Sequence, residues 1–307
     1  MVNHNKVKAI VSQIEGFLSP TIATSTVNIR TDFAPWFDVA SAFNNLGMRV
    51  LPAVNADQTS NQQLVAAALY GRTLTSFQAT YILTERGMLA DARTVVRAAA
   101  ETVIVLCAVV KNPTVCDSLI VRHFWHHRKL RNAWLNDPQV RSKMTPQEFD
   151  AVKAMIADAD TSHPQAKEQS RDPVNIEELA KKADRMVLYN AVYRATSGDA
   201  AHTSIDALNR HVRADAQGNV QGLKFGPEVC DLPATLSDAI SVLGYALDAV
   251  IELFQLSKFG DDLAKCVASR KALGVPGEYR PDSRTAGATT RPARCSISSD
   301  PSSARSS

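Results

Sequence analysis

The sequence lacks most features that identify nucleotide-binding, disulfide-rich or membrane proteins. No Walker loop, Gly-x-Gly-x-x-Gly or Gly-x-Ser-x-Gly motif follows a predicted strand, so neither a phosphate-binding loop nor a hydrolase triad is indicated. The five cysteines are widely spaced, without a Cys-x-x-Cys pair, which argues against a disulfide framework or a zinc knuckle. The longest apolar stretch, residues 98–110, is interrupted by Glu101, and no segment is predicted to span a membrane.

Net charge is also small. The 34 Lys and Arg residues exceed the 31 Asp and Glu residues by three, which is too little for a dedicated binder of duplex nucleic acid. Unpaired cysteines are typical of a reducing compartment. We therefore expect a cytoplasmic protein. Because the sequence has no cofactor-binding motif and too few clustered metal ligands, we expect no cofactor and no metal.

What the sequence does contain is helical periodicity. With 45% apolar residues among 307, the chain can bury a large core, and its pattern predicts an all-α, irregular multi-helix bundle with one small β-hairpin at residues 211–225. We expect N-terminal helices (residues 5–18 and 36–46) and a linker at 1–57, a main helical domain at 58–273, and a disordered Ser- and Arg-rich tail at 274–307. Three helix breaks are predicted, at Gly71, at Gly87 and at residues 197–199.

The first candidate site lies on one helix face. Arg93, Arg97 and Glu101 are spaced by four residues, so they share a face of an otherwise apolar helix. A carboxylate in such a run must find a cation or hydrogen-bond donors, and Arg97 is the nearest cation. The alternative is a structural ion pair that fixes the register of the helix.

The second candidate combines Tyr189, Tyr193 and Ser197, which share a helical face, with His202. If Asp199 caps the following helix, His202 lies in its first turn, where the helix dipole favours a neutral imidazole. A neutral histidine can act as acceptor, base or ligand. The alternative is that the tyrosines belong to the core and His202 has only a structural hydrogen bond.

Together these segments resemble a known family. The stretch from Ala92 to Glu101 and the later stretch from Tyr193 to His202 are similar to the bacterial helical family catalogued as domain of unknown function 5677. The resemblance covers roughly residues 58–257 and implies an all-helical fold in which an Arg-x-x-x-Glu helix faces a Tyr…Ser…His segment. The family's characteristic positions would be occupied by Arg97, Glu101, Tyr193, Ser197 and His202. One carboxylate and one histidine fall short of a catalytic zinc or di-iron ligand set.

A third candidate is the basic, aromatic segment at residues 122–131. It contains an Arg-His-x-x-x-His pattern that resembles the ribonuclease motif of HEPN proteins, which implies RNA cleavage by Arg122 and His127, usually across a dimer. Short motifs of this kind often arise by chance. The segment could also bind RNA through stacking aromatics and basic side chains, or it could be a solvated basic face with its aromatics turned inward.

The leading hypothesis is a bacterial module that binds a small polar ligand or a protein partner, in stress or phage defence, through Arg97, Glu101, Tyr193, Ser197 and His202. The alternative is a metal-independent ribonuclease that uses Arg122 and His127. RNA binding and a homodimer are left open.

Overall fold

The computed structural model describes residues 16–162, 164, 175–200, 205–215, 217 and 219–274. This part of the chain is helical apart from one antiparallel hairpin, which confirms the all-α prediction. Its helices are α1 (Ile22–Asp32), α2 (Ala34–Val50), α3 (Asn61–Glu85), α4 (Leu89–Lys111), α5 (Thr114–Asn136), α6 (Pro138–Arg141), α7 (Pro146–Ser162), α8 (Ile176–Lys182), α9 (Met186–Leu188), α10 (Ala195–Ala200), α11 (Ile205–Asn209), α12 (Leu232–Leu253) and α13 (Gly260–Ala272). A π-helical segment, Tyr189–Arg194, joins α9 to α10.

Helices α4 and α12 form the centre of the bundle. Each has thirteen buried residues, and the two helices pack on each other and on α3. Their apolar residues repeat on more than one face, as expected of helices with neighbours on several sides. Helix α12 is also long and apolar enough to cross a membrane, but 61% of its most apolar window is buried in the protein.

The N-terminal helices share this core. The predicted helix at residues 36–46 is longer than expected and forms α2, which packs against α3, α12 and α13. Trp36, Phe37, Phe43 and Leu46 are almost fully buried. These side chains of α2 therefore belong to the same apolar cluster as the central helices.

The predicted break at Gly71 is wrong. Helix α3 continues through this residue, and Tyr70, Thr73 and Leu74 on either side of it are buried. A glycine costs a helix about 1 kcal/mol relative to alanine, which is less than the burial of a large apolar side chain contributes. Tertiary packing therefore outweighs the local preference. The break predicted at Gly87 is confirmed: this residue lies between α3 and α4 and has a φ of +73°.

The break predicted at residues 197–199 is also wrong, because these residues lie within α10. The chain breaks earlier, after α8, where Asp184 adopts a φ of 56°. The Ser197 hydroxyl donates to the backbone oxygen of Tyr193 at 2.6 Å. Back-bonding of this kind is how a serine side chain is accommodated within a helix.

The predicted hairpin is confirmed. Strand β1 (Val212–Ala214) pairs with β2 (Val220–Leu223), and the register shifts between Arg213 and Ala214. Among the described residues, no disulfide joins Cys107, Cys116 and Cys266. The predicted helix before residue 16 and the predicted tail beyond Gly274 lie outside the described residues.

Candidate functional site

The polar face of α4 lies against the π-helical segment and α10. Tyr193 belongs to the π-helical segment, whereas Ser197 lies one turn later in α10. A π-helical turn inserted into an α-helix re-aims the side chains around it and is frequent at functional sites. Here it positions a tyrosine and a serine opposite the same residue of α4.

That residue is Arg97, which is half-buried. Its Nη2 donates to the Tyr193 hydroxyl at 3.1 Å, and its Nε donates to the Ser197 Oγ at 3.2 Å. The guanidinium carbon also lies 4.7 Å from the centre of the Tyr193 ring, a cation–π distance worth roughly 0.5–2 kcal/mol. Arg97 is therefore fixed by neutral oxygens and an aromatic ring.

Tyr189, a predicted member of this face, extends the cluster to two residues that were not found from the sequence, Glu177 and Lys181. The Tyr189 ring stacks on Tyr193, with centres 5.4 Å apart, and the Tyr189 hydroxyl donates to Glu177 at 3.4 Å. Glu177 accepts from Lys181 at 2.7 Å, which lowers the pKa of its carboxyl group. The four-residue spacing of Glu177 and Lys181 predicts their ion pair, but nothing in the sequence brings that pair to Tyr189.

Glu101 lies one turn beyond Arg97 and is half-buried. The expected pairing of Arg97 with Glu101 is wrong, since Arg97 points its donors at Tyr193 and Ser197. Within the described part of the chain, Glu101 makes no hydrogen bond or ion pair. Partial exposure to water lets the carboxylate do without a protein partner.

His202, the remaining predicted site residue, lies outside the described residues. The predicted helix cap at Asp199 is wrong, because Asp199 lies inside α10. Without a cap at Asp199, the sequence no longer predicts that His202 lies in the first turn of a helix. The convergence of Arg97, Tyr193 and Ser197 is confirmed as geometry, and the contribution of His202 stays a prediction.

The Arg-His-x-x-x-His pattern lies on α5, which is continuous from Thr114 to Asn136. Arg122 and His127 are five residues apart, which rotates them by about 140° around an α-helix. They therefore do not share a face within one chain. The Nη1 atom of Arg122 is also buried, without a hydrogen-bond partner among the described residues. The geometry gives no support to a HEPN-like active site, and ribonuclease activity stays a prediction.

Several aromatic and basic side chains of α5 contact each other or a neighbouring helix. Arg128 and Lys129 lie over the Trp125 ring at 4.9 and 5.5 Å, and Arg128 forms a bidentate ion pair with Asp160 of α7. Trp134 is 41% exposed. Because Trp125 already stacks on cations of its own helix, it is not open to a nucleobase in this arrangement, and RNA binding stays a prediction.

Comparison with known proteins gives one match. A family model described as a family of unknown function (DUF5677) matches residues 63–219, just over half of the chain. No curated protein and no solved structure matches significantly. The match covers α4, α5, the π-helical segment and α10, and it confirms the family resemblance drawn from the two polar segments.

Proposed function

The chain belongs to the DUF5677 family, and we propose that it is a ligand-binding module whose site is formed by Arg97, Glu101, Tyr193, Ser197 and His202. A protein partner is the second kind of ligand that this site would fit. The cytoplasmic location and the setting in bacterial stress or phage defence stay predictions.

One observation carries the proposal: Arg97 is fixed by neutral groups, with Glu101 one turn away. A guanidinium whose described partners are two hydroxyls and a ring retains an electrostatic attraction for an anionic group. A carboxylate without a partner among the described residues can accept from a hydrogen-bond donor. The two charges on one helix face favour a small ligand that carries both an acidic group and a donor.

Preorganisation supports the same conclusion. Ser197 and Tyr193 hold Arg97 from the opposite helix, and the Tyr189 stack supports Tyr193 from behind. A side chain fixed before binding loses less conformational entropy when the ligand arrives. This arrangement suits binding of an anionic ligand by Arg97, whereas a purely structural ion pair would place a carboxylate of the protein against the guanidinium.

The test is thermal shift and calorimetry with amino acids, dicarboxylates, nucleotides and polyamines as probes. A probe that binds the native state raises the melting temperature. For the probe that binds wild-type protein, Glu101→Gln should reduce affinity about tenfold or more, as expected for a lost charge-assisted hydrogen bond. The unliganded melting temperature should hardly change, because Glu101 is half-exposed.

Asp91→Asn is the matched control, since it removes one exposed carboxylate from the first turn of the same helix. It should leave affinity unchanged. Equal affinity of wild-type protein and Glu101→Gln would show that the carboxylate is not a ligand group. A protein partner would be indicated if no probe bound while Arg97→Gln disrupted a complex isolated with the full chain.

A further inference from the structure

Helix α5 carries a second cluster of potential ligand groups, made of the imidazoles of His123 and His127. The two residues are four positions apart, so they lie on one face of the helix one turn from each other. Their ring centres are 4.4 Å apart, with an angle of 62° between the ring planes. His123 is exposed and His127 is half-buried.

This separation is close to the one expected for two imidazoles that bind the same metal ion. An imidazole nitrogen binds zinc at about 2.0–2.1 Å. Each ring centre then lies about 3.2 Å from the metal, and two such centres lie about 4.5–5.2 Å apart at the angles of square or tetrahedral coordination. The observed distance of 4.4 Å lies just below this range.

We propose that His123 and His127 chelate a divalent late transition metal, with the remaining coordination positions open to water or to a ligand from outside the chain. No set of three or more His, Cys, Asp or Glu side chains in the described residues is placed to hold a metal. The site therefore supplies two protein ligands. Imidazole prefers copper, nickel and zinc, whereas magnesium and calcium prefer oxygen ligands.

The surroundings of His127 favour the neutral imidazole that a metal needs. Desolvation lowers the pKa of His127, and His123, Arg131 and His126 lower it further. The same Arg131 charge opposes an incoming cation, because it lies one turn from His127. The positive charge of Arg131 should therefore weaken metal binding by this histidine pair.

The experiment titrates the full-length chain with Ni²⁺, Zn²⁺ and Cu²⁺ by calorimetry, with Mg²⁺ as the control ion. Wild-type protein should bind copper most tightly, following the general order of affinities, and should not bind Mg²⁺. His123→Gln and His127→Gln should each weaken Ni²⁺ binding about tenfold or more, since even loss of an outer-shell partner costs ten- to a hundredfold.

His126→Gln is the matched control. This histidine is exposed on the same helix, and its ring centre lies 5.8 Å from that of His127. As its immediate neighbour in sequence, it projects about 100° away around the helix. His126→Gln should retain Ni²⁺ affinity within about twofold. At one Ni²⁺ concentration, the melting temperature of wild-type protein and of this control should rise by similar amounts, and that of the two other variants should rise less.

A second measurement uses Arg131→Gln, which removes the opposing charge without touching either imidazole. Ni²⁺ affinity should rise roughly twofold, the scale of a charge pair one helical turn apart. Circular dichroism of the metal-free variants checks that each one folds. Equal Ni²⁺ affinity of wild-type protein, His123→Gln and His127→Gln would overturn the proposal, because the bound metal would then reside elsewhere.

Discussion

Asp238 of α12 illustrates how burial changes the chemistry of a single side chain. Desolvation raises the pKa of its carboxyl group to about 6, although the charges of Arg93 and Arg270 act in the opposite direction. The guanidinium carbon of Arg270 lies 4.7 Å from the centre of the Trp36 ring, and its Nη2 donates to the Ser237 hydroxyl. The two arginines therefore compensate only part of the cost of the buried charge.

The raised pKa of Asp238 determines how the stability of the protein changes with pH. The folded protein binds the Asp238 proton more tightly than the unfolded chain, whose carboxyl titrates near 3.8. This residue's contribution to stability is therefore greatest below about pH 4 and is lost as pH rises towards 6. Asp238→Asn should unfold at a higher urea concentration than wild-type protein at pH 7.5, and the difference should shrink towards zero near pH 4.

Urea titrations at half-unit pH intervals test this expectation. Asp248→Asn is the control, because Asp248 lies on the same helix with an exposed side chain. Its variant should not show the same pH-dependent gain. If Asp238→Asn were less stable than wild-type protein at pH 7.5, attraction by the two arginines would outweigh desolvation and our account would be wrong.

These residues also show what the sequence can reveal of a site. Four-residue spacing predicts correctly that Tyr193 and Ser197 share a face, and the family resemblance brings them to Arg97. The sequence does not show that two hydroxyls, and not Glu101, would take the donors of Arg97. Asp238 was missed because its raised pKa depends on neighbours that only the tertiary fold supplies.

Among the helices, two glycines occupy contrasting positions. Gly47 of α2 faces Leu74 of α3, and a Cβ atom added to Gly47 would lie 2.6 Å from Leu74 Cδ2. The Tyr70 hydroxyl also donates to the Gly47 backbone oxygen at 2.9 Å. Gly71, in the middle of α3, has no atom within 4 Å of its Cβ position. The first glycine allows close helix packing, and the second only weakens its own helix.

Substitution by alanine should therefore have opposite effects at the two positions. Gly71→Ala should stabilise the protein by about 0.5–1 kcal/mol, because alanine has the higher helix propensity. Gly47→Ala should destabilise it by about 1–2 kcal/mol, since overpacking against the buried Leu74 outweighs that gain. Urea midpoints at unchanged m-value measure both. A stabilised Gly47→Ala variant would mean that Leu74 moves aside freely.

The helix boundaries show the limits of local sequence signals in the same way. Helix ends that are marked by specific capping residues are predictable. At the start of α7, the Thr145 hydroxyl accepts from the Glu148 backbone N–H, and the Glu148 carboxylate accepts from the Thr145 backbone N–H, which together form a capping box. Breaks inferred from turn-forming residues are less reliable: the one at Gly87 is present, whereas those at Gly71 and at residues 197–199 are absent.

In the molecule as a whole, the early and late parts of the chain close on one core. Helix α2 packs on α12 and α13, Arg49 of α2 pairs with Asp262 of α13 at 2.6 Å, and Phe43 lies against Gly244 of α12. The predicted division at residue 57 separates segments that share this apolar cluster. Since one cluster links both segments, we expect them to unfold together.

Phe43→Ala tests this cooperativity. Phe43 is 1% exposed, so its removal should cost about 3–5 kcal/mol and shift the whole unfolding transition. Circular dichroism at 222 nm and tryptophan fluorescence should report one coincident midpoint, lowered together. Met48→Ala, on the same helix but 44% exposed, should change stability by less than about 0.5 kcal/mol. An early, separate transition in Phe43→Ala, with the main midpoint unmoved, would instead show that residues before 58 fold as an independent unit.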